Sequence, residues 1–166
     1  MSDKIGLFAG SFDPVTNGHV DIIKRASRLF DKLYIGVFYN KEKSGLFDPA
    51  SRQKMLAEAL EGIGNIEVIT AQDSLAVAIA RHHQVTHLVR GLRNAQDLEY
   101  EANLAFFNSQ LAHEIETVFL LTALNYRYLS SSRVRELIHF KADIRPYVPY
   151  SVLKEVEKIF ENNQKI

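Results

Sequence analysis

The sequence predicts an α/β fold: one doubly wound, five-stranded parallel sheet in the order 3-2-1-4-5, followed by C-terminal helices. Three observations carry this reading. Short apolar runs recur at residues 5–9, 33–39, 66–70, 86–89 and 116–121, as in strands buried on both faces. Segments with helical apolar spacing separate them, giving strict β-α alternation. The polar residues suited to chemistry all follow carboxyl ends of strands, where open α/β sheets bind ligands.

The first strand, Ile5-Gly6-Leu7-Phe8-Ala9, runs into the loop Gly10-Ser11-Phe12-Asp13-Pro14-Val15-Thr16-Asn17-Gly18-His19. A helix starts near Val20, with Ile22, Ile23, Ala26, Leu29 and Phe30 at helical spacing. Arg25, Arg28 and Lys32 read as its solvated face. The second strand, 33–39, is rich in aromatic and branched residues. A polar loop, 40–45, follows it. Asp48 and Pro49 suit the N-cap and first position of a helix that stops near Gly62-Ile63-Gly64. After the third strand, Asp73 or Ser74 is expected to cap a helix from Leu75 to about His82. The fourth strand ends at Arg90-Gly91. A long helix then runs from about Ala95 to Ala112, and the fifth strand covers 116–121. Ser130-Ser131-Ser132 precede a helix through Phe140, and Pro149 opens a last helix to about Glu161.

The long helix carries two apolar lines. One is Leu98, Ala102, Ala105 and Phe106; the other is Tyr100, Leu104, Phe107 and Leu111. Such a helix needs two partners. One is the sheet. The other is a second subunit or the C-terminal helices.

Composition narrows the function classes. The 166 residues carry 20 Lys+Arg and 20 Asp+Glu, so no bulk field favours nucleic acid or an anionic membrane. Cysteine is absent, which excludes disulfides and thiolate metal sites. The N-terminus lacks the apolar core of a signal peptide, and no apolar run approaches the roughly 18 residues of a membrane span. One domain over residues 1–166, soluble and cytoplasmic, is expected.

The loop after the first strand suits an anion, because helix N-termini present unpaired N–H groups and a favourable dipole. It is neither a P-loop nor a dinucleotide fingerprint. Asn17-Gly18 would permit positive φ and close backbone approach. His19 can donate Nε2–H or Nδ1–H to a phosphate oxygen, or serve as an ordinary cap histidine. Arg90-Gly91-Leu92-Arg93 puts two guanidiniums around a strand end, where they either bind phosphate or stand in solvent. In the predicted order, strands one and four flank the switch point, so His19 faces Arg90 and Arg93. Arg93, Asp97 and Glu101 share a helix face, either as an ion-pair ladder or as ligand contacts. The three serines are first a helix N-cap, with N–H groups that would also suit terminal phosphates. Lys43 lies in a polar loop, where a solvated lysine is the default. His82, His83 and His87 have neither metal-site spacing nor an acidic partner, so no metal-ligating residues are assigned.

Residues 9–19 resemble the G-T-F-D-P-x-T-x-G-H signature of nucleotidyltransferases, with Thr16-Asn17-Gly18-His19 as the T-x-G-H motif. The further set Arg90-Gly91-Leu92-Arg93, Asp97-Leu98-Glu99-Tyr100-Glu101 and Ser130-Ser131-Ser132 resembles the bacterial phosphopantetheine adenylyltransferase family. The resemblance spans residue 5 to about 150. It implies a Rossmann-like fold, a homohexamer and a Mg²⁺-dependent reaction of ATP with 4′-phosphopantetheine, giving dephospho-coenzyme A and pyrophosphate. By motif, Ser11 and His19 would contact phosphates at the reacting centre. Lys43 and Arg90 would bind the acceptor phosphate, and Ala76 would line the pantetheine arm. Phe12, Gly91, Leu92, Arg93 and Glu101 would bind ATP, together with Tyr126, Arg127, Tyr128, Leu129, Ser130, Ser131 and Ser132. The chain departs from the pattern in three places. Ser11 replaces the usual Thr and loses the methyl that restricts its rotamer. Leu-Phe-Ala stands where a Tyr-Pro pair is common, and residues 123–129 form a variable loop whose adenine contacts would be backbone. Two rivals stay open. One is a related nucleotidyltransferase acting on nicotinamide mononucleotide or a polyol phosphate; the other is a non-catalytic nucleotide sensor.

Overall fold

Five parallel strands form the centre of the computed structural model, which describes residues 3–163. They are β1 (Ile5–Gly10), β2 (Lys32–Tyr39), β3 (Ile66–Gln72), β4 (His87–Leu92) and β5 (Glu116–Leu121). The order is β3-β2-β1-β4-β5, as the sequence predicts. Strand order therefore reverses between β1 and β4, which pair in parallel through Gly6–His87, Leu7–Leu88 and Phe8–Val89. The helices are α1 (Asn17–Ala26), α2 (Pro49–Ala59), α3 (Ala76–His82), α4 (Ala95–Leu111), α5 (Ser131–His139) and α6 (Tyr150–Asn163). A single 3-10 turn, Leu124–Tyr126, follows β5.

Alternation along β1 divides the core. Phe8 points to one face, into a cluster with Ile22, Ile23, Ile35, Leu56, Val134 and Val152. Leu7 and Ala9 point to the other, against Val77, Ala80, Leu88 and Ile115. Each fully buried Leu or Ile contributes about 1.5–3 kcal/mol. Both faces are covered, which explains why the strands read as continuous apolar runs rather than alternating ones.

Several local expectations change. α1 begins at Asn17 and ends at Ala26, so Leu29 lies outside it and is exposed, while Phe30 is buried from the following turn. Lys32 belongs to β2 and pairs with Glu67. Arg25 is not merely solvated: it donates to the Leu121 carbonyl at the end of β5. Asp48 does cap α2, accepting from Ser51 N–H at 2.8 Å. Neither Asp73 nor Ser74 caps α3. Its N-cap is Leu75, without a side-chain bond, because Asp73 accepts from Lys41 N–H and Ser74 donates to the Gln72 carbonyl.

The long helix keeps only half of its expected partnership. Among its residues only Glu101 is buried. Tyr100, Phe106, Phe107 and Leu111 are all more than half exposed, and Leu98 nearly so. The C-terminal helices do not sandwich it, because α6 packs on α2 instead, through Met55, Leu56, Val152 and Val156.

Candidate functional site

A cleft of about 310 Å³ opens at the carboxyl edge of β1 and β4, lined by the β1–α1 loop, the β4–α4 junction and the start of α5. Its floor is set by a capping box. Thr16 is the N-cap of α1, and its hydroxyl accepts from His19 N–H at 3.3 Å. The imidazole returns the contact: Nδ1 accepts from Thr16 N–H at 3.0 Å. An Nδ1 facing an N–H is the acceptor, so Nε2 carries the proton of the neutral ring. Of the two donors the sequence allows, only Nε2–H is left for a ligand.

The Phe12 ring meets the imidazole edge-on at 5.1 Å. Burial, then Arg93 and Arg90, lower the His19 pKa from the ordinary 6.5 to about 4. His19 is thus a neutral donor at neutral pH. The sign of the stability effect follows. Between pH 6.5 and 4 the unfolded chain takes up this proton first, so folding stability falls as pH drops through that window. In a ligand-free NMR titration, His19 should show a midpoint near 4, and a midpoint near 6.5 would contradict this account.

The backbone that aims this loop is unusual. The positive φ expected from Asn17-Gly18 falls elsewhere, since both residues lie in the first turn of α1. Phe12 carries it instead, at φ 46°, with its side chain only 2% exposed. A bulky residue held at positive φ is strained, and such strain concentrates at functional sites.

Arg90 lies within β4 rather than beyond it. Its Nε and Nη2 donate to the two Glu101 carboxylate oxygens at 2.7 and 2.6 Å, and Nη1 donates to the Ala9 carbonyl at 2.7 Å. Arg93 pairs with Asp97 through Nε at 2.9 Å and Nη2 at 3.1 Å. In place of a continuous Arg93-Asp97-Glu101 ladder, one of the two readings of this spacing, there are two separate bidentate pairs, Asp97 orienting Arg93 and Glu101 orienting Arg90. Glu101, carried over as an ATP contact, spends both oxygens on Arg90.

The three serines do three different things. Ser130 caps α5, accepting from Arg133 N–H at 3.2 Å. Ser131 donates to the Pro14 carbonyl at 2.8 Å and ties α5 to the β1–α1 loop. Ser132 accepts from Arg135 Nη2 at 3.1 Å.

The cleft brings together Phe12, His19, Arg90, Gly91, Arg93, Glu101, Leu129, Ser130 and Ser131. It does not include Leu92, Tyr126, Arg127, Tyr128 or Ser132 in its walls. Leu92 is core, Tyr126 sits over Gly18, and Tyr128 is 86% exposed with Arg127 above its ring. Ser11 and Lys43 line a neighbouring cavity with Asp13, Arg52 and Arg135. Ala76 lines a third cavity, which shares Arg90 and Glu101 with the first.

Sequence reasoning missed the support beneath Ser11. The buried Asp13 carboxylate accepts from Leu46 N–H at 2.8 Å and Phe47 N–H at 2.9 Å, and faces Arg52 Nε at 3.4 Å. This pins the Lys43 loop to the signature loop. Gly45 closes against the pair, where a Cβ would overlap the Arg52 guanidinium. The available signal was an acidic residue, Asp13, set between Phe12 and Pro14 in a loop otherwise suited to an anion. Among the described residues no group of three His, Asp or Glu is placed to hold a metal ion. Asp97 and Glu101, the carboxylates of the cleft, are already paired. That donor set fits an ion carried on a ligand's phosphates rather than a protein cage. No described helix is long and apolar enough to cross a membrane.

Comparison with known proteins agrees with this geometry. Residues 7–137 match the cytidylyltransferase-like family model. The chain is 80% identical to the phosphopantetheine adenylyltransferase of Streptococcus mutans serotype c, over all of both chains. It is 61% identical to that of Streptococcus sanguinis, over 99% of each. A solved Vibrio parahaemolyticus protein, provisionally a nicotinate-nucleotide adenylyltransferase, shares the fold, with TM-score 0.64 and 15% identity over 93% of this chain and 99% of that one. The T-x-G-H loop, the facing arginines and these relatives together make the chain a member of the phosphopantetheine adenylyltransferase family.

Proposed function

We propose that this enzyme transfers the adenylyl group of ATP to 4′-phosphopantetheine, giving dephospho-coenzyme A and pyrophosphate. The observation that carries the reading is one cleft holding a neutral His19 donor opposite two carboxylate-aimed arginines. The full-length identity to Streptococcus relatives of that name supports the acceptor.

The acceptor phosphate attacks the α-phosphorus of ATP in line. A bond forms from that phosphate oxygen to the α-phosphorus, the bond to the bridging oxygen breaks, and pyrophosphate leaves. The nucleophile is already anionic, so the step needs neither a general base nor a covalent intermediate. What the protein supplies is position and charge. His19 Nε2–H donates to an α-phosphate oxygen as charge develops. The Ser11 hydroxyl, which has no protein partner among the described residues, donates to the incoming phosphate. Lys43 and Arg90 bind that phosphate. Arg93 and the α5 N-terminus at Ser130 and Ser131 take the nucleotide's phosphates. A Mg²⁺ ion carried on the nucleotide's phosphates would supply further charge neutralisation there. The exposed apolar side of α4 supports a homo-oligomer, the hexamer of the family being our reading.

Pyrophosphate release from ATP with each acceptor tests the assignment. It should be rapid with 4′-phosphopantetheine. Release only with nicotinamide mononucleotide or a polyol phosphate would transfer the chain to a rival activity. ATP binding without release for any acceptor would make it a sensor.

A further inference from the structure

We infer that Arg135, one turn into α5, is a further cation of the acceptor-phosphate subsite, beside Lys43 and the Ser11 hydroxyl. The inference rests on the adenylyl-transfer reading above. Its basis is the cavity of about 400 Å³ behind Ser11, which Lys43, Arg52 and Arg135 all line.

These three cations are not equivalent. Arg52 is neutralised: its side chain is 7% exposed, it faces the Asp13 carboxylate, and it donates to the Phe47 and Ser11 carbonyls. Arg135 is held just as firmly but by neutral oxygens. Nη1 donates to the Asp13 carbonyl at 2.7 Å, and Nη2 to the Ser132 hydroxyl at 3.1 Å. No carboxylate lies within ion-pair distance of it among the described residues. The adjacent Glu136 is taken by Arg133. Lys43 likewise has no ion pair among the described residues. The cavity therefore carries two uncompensated positive charges, with the Ser11 hydroxyl beside them.

A half-buried guanidinium fixed in place yet lacking a counter-ion favours an anion, and a fixed planar fork suits phosphate oxygens. The anion that belongs there is the terminal phosphate monoester of the acceptor, since Ser11 and Lys43 line the same space and the nucleotide elements His19, Arg93 and Ser130 line the other cleft. Arg135 also joins the two halves: its donors grip the loop of Ser11 and the helix whose N-terminus faces the nucleotide.

Steady-state kinetics on Arg135→Ala and Arg135→Lys test this. The alanine variant should raise KM for 4′-phosphopantetheine by about 10–100-fold, the scale of one charge-assisted hydrogen bond, and change KM for ATP less than threefold. The lysine variant should recover part of the loss. Calorimetry with pantetheine, which lacks the phosphate, should give the same affinity for wild type and Arg135→Ala. Equal loss for pantetheine and its phosphate would overturn the inference, leaving Arg135 a prop for the loop. A selective rise in the KM for ATP would also overturn it, placing the guanidinium on the nucleotide's phosphates. An unchanged KM in an active variant does the same. Failure of the wild type to release pyrophosphate with this acceptor would instead remove the functional reading itself.

Discussion

Replacing His19 with alanine should lower kcat by about 10²–10³-fold, the scale of losing one donor to a developing oxyanion. The loss should fall on kcat rather than on KM for ATP, because the Nε2–H contact strengthens as charge builds on the α-phosphate. The ring earns this role through its surroundings. Thr16 N–H occupies Nδ1 at 3.0 Å, which fixes the proton on Nε2. Burial and the two arginines keep the ring neutral down to about pH 4. A protonated imidazole would bring charge but would lose the Thr16 contact at Nδ1. His19→Ala also removes half of the capping box, which costs stability on the order of 1 kcal/mol. Urea unfolding separates that from catalysis. A variant that is folded and turns over near normally would rule out the proposed donor.

Replacing Asp13 with alanine should cost about 3–5 kcal/mol of stability, because it leaves Arg52 charged and buried without its partner. The two side chains are 8% and 7% exposed, so solvent cannot compensate. Two further bonds go with the carboxylate, those from Leu46 and Phe47 N–H. Combining Asp13→Leu with Arg52→Met should cost less than Asp13→Ala alone, since removing both charges removes the orphan. Denaturant midpoints for the single and double variants measure this. A single-variant loss under about 1 kcal/mol would mean that water or another group reaches Arg52. Where the single variant stays folded, KM for the acceptor should rise, since the bonds from Asp13 hold the loop that carries Lys43.

The sequence by itself determined the layered α/β architecture, because strand and helix periods are local properties of the chain. Every strand and helix stands where its apolar spacing places it, with ends moved by a few residues. The order β3-β2-β1-β4-β5 agrees with the doubly wound arrangement expected for strict β-α alternation, one of the few common orders for such a sheet. That order alone brings the β1–α1 loop opposite the β4–α4 junction, so the meeting of His19 with Arg90 and Arg93 was legible.

Tertiary structure alone decided which groups pair. Helical spacing put Arg93, Asp97 and Glu101 on one face, but Asn94 is the N-cap of α4, so Arg93 lies before the helix and pairs with Asp97 rather than Glu101. Glu101 then meets Arg90 from the neighbouring strand. Asp13 finds Arg52, and its carbonyl finds Arg135, across separations that no local pattern records. The division of the polar residues between the His19 cleft and the Ser11 cavity is of the same kind. Periodicity reports which face a side chain takes. Bidentate pairs and buried charges depend on where two faces from distant segments meet to within a few tenths of an ångström, and only packing sets that.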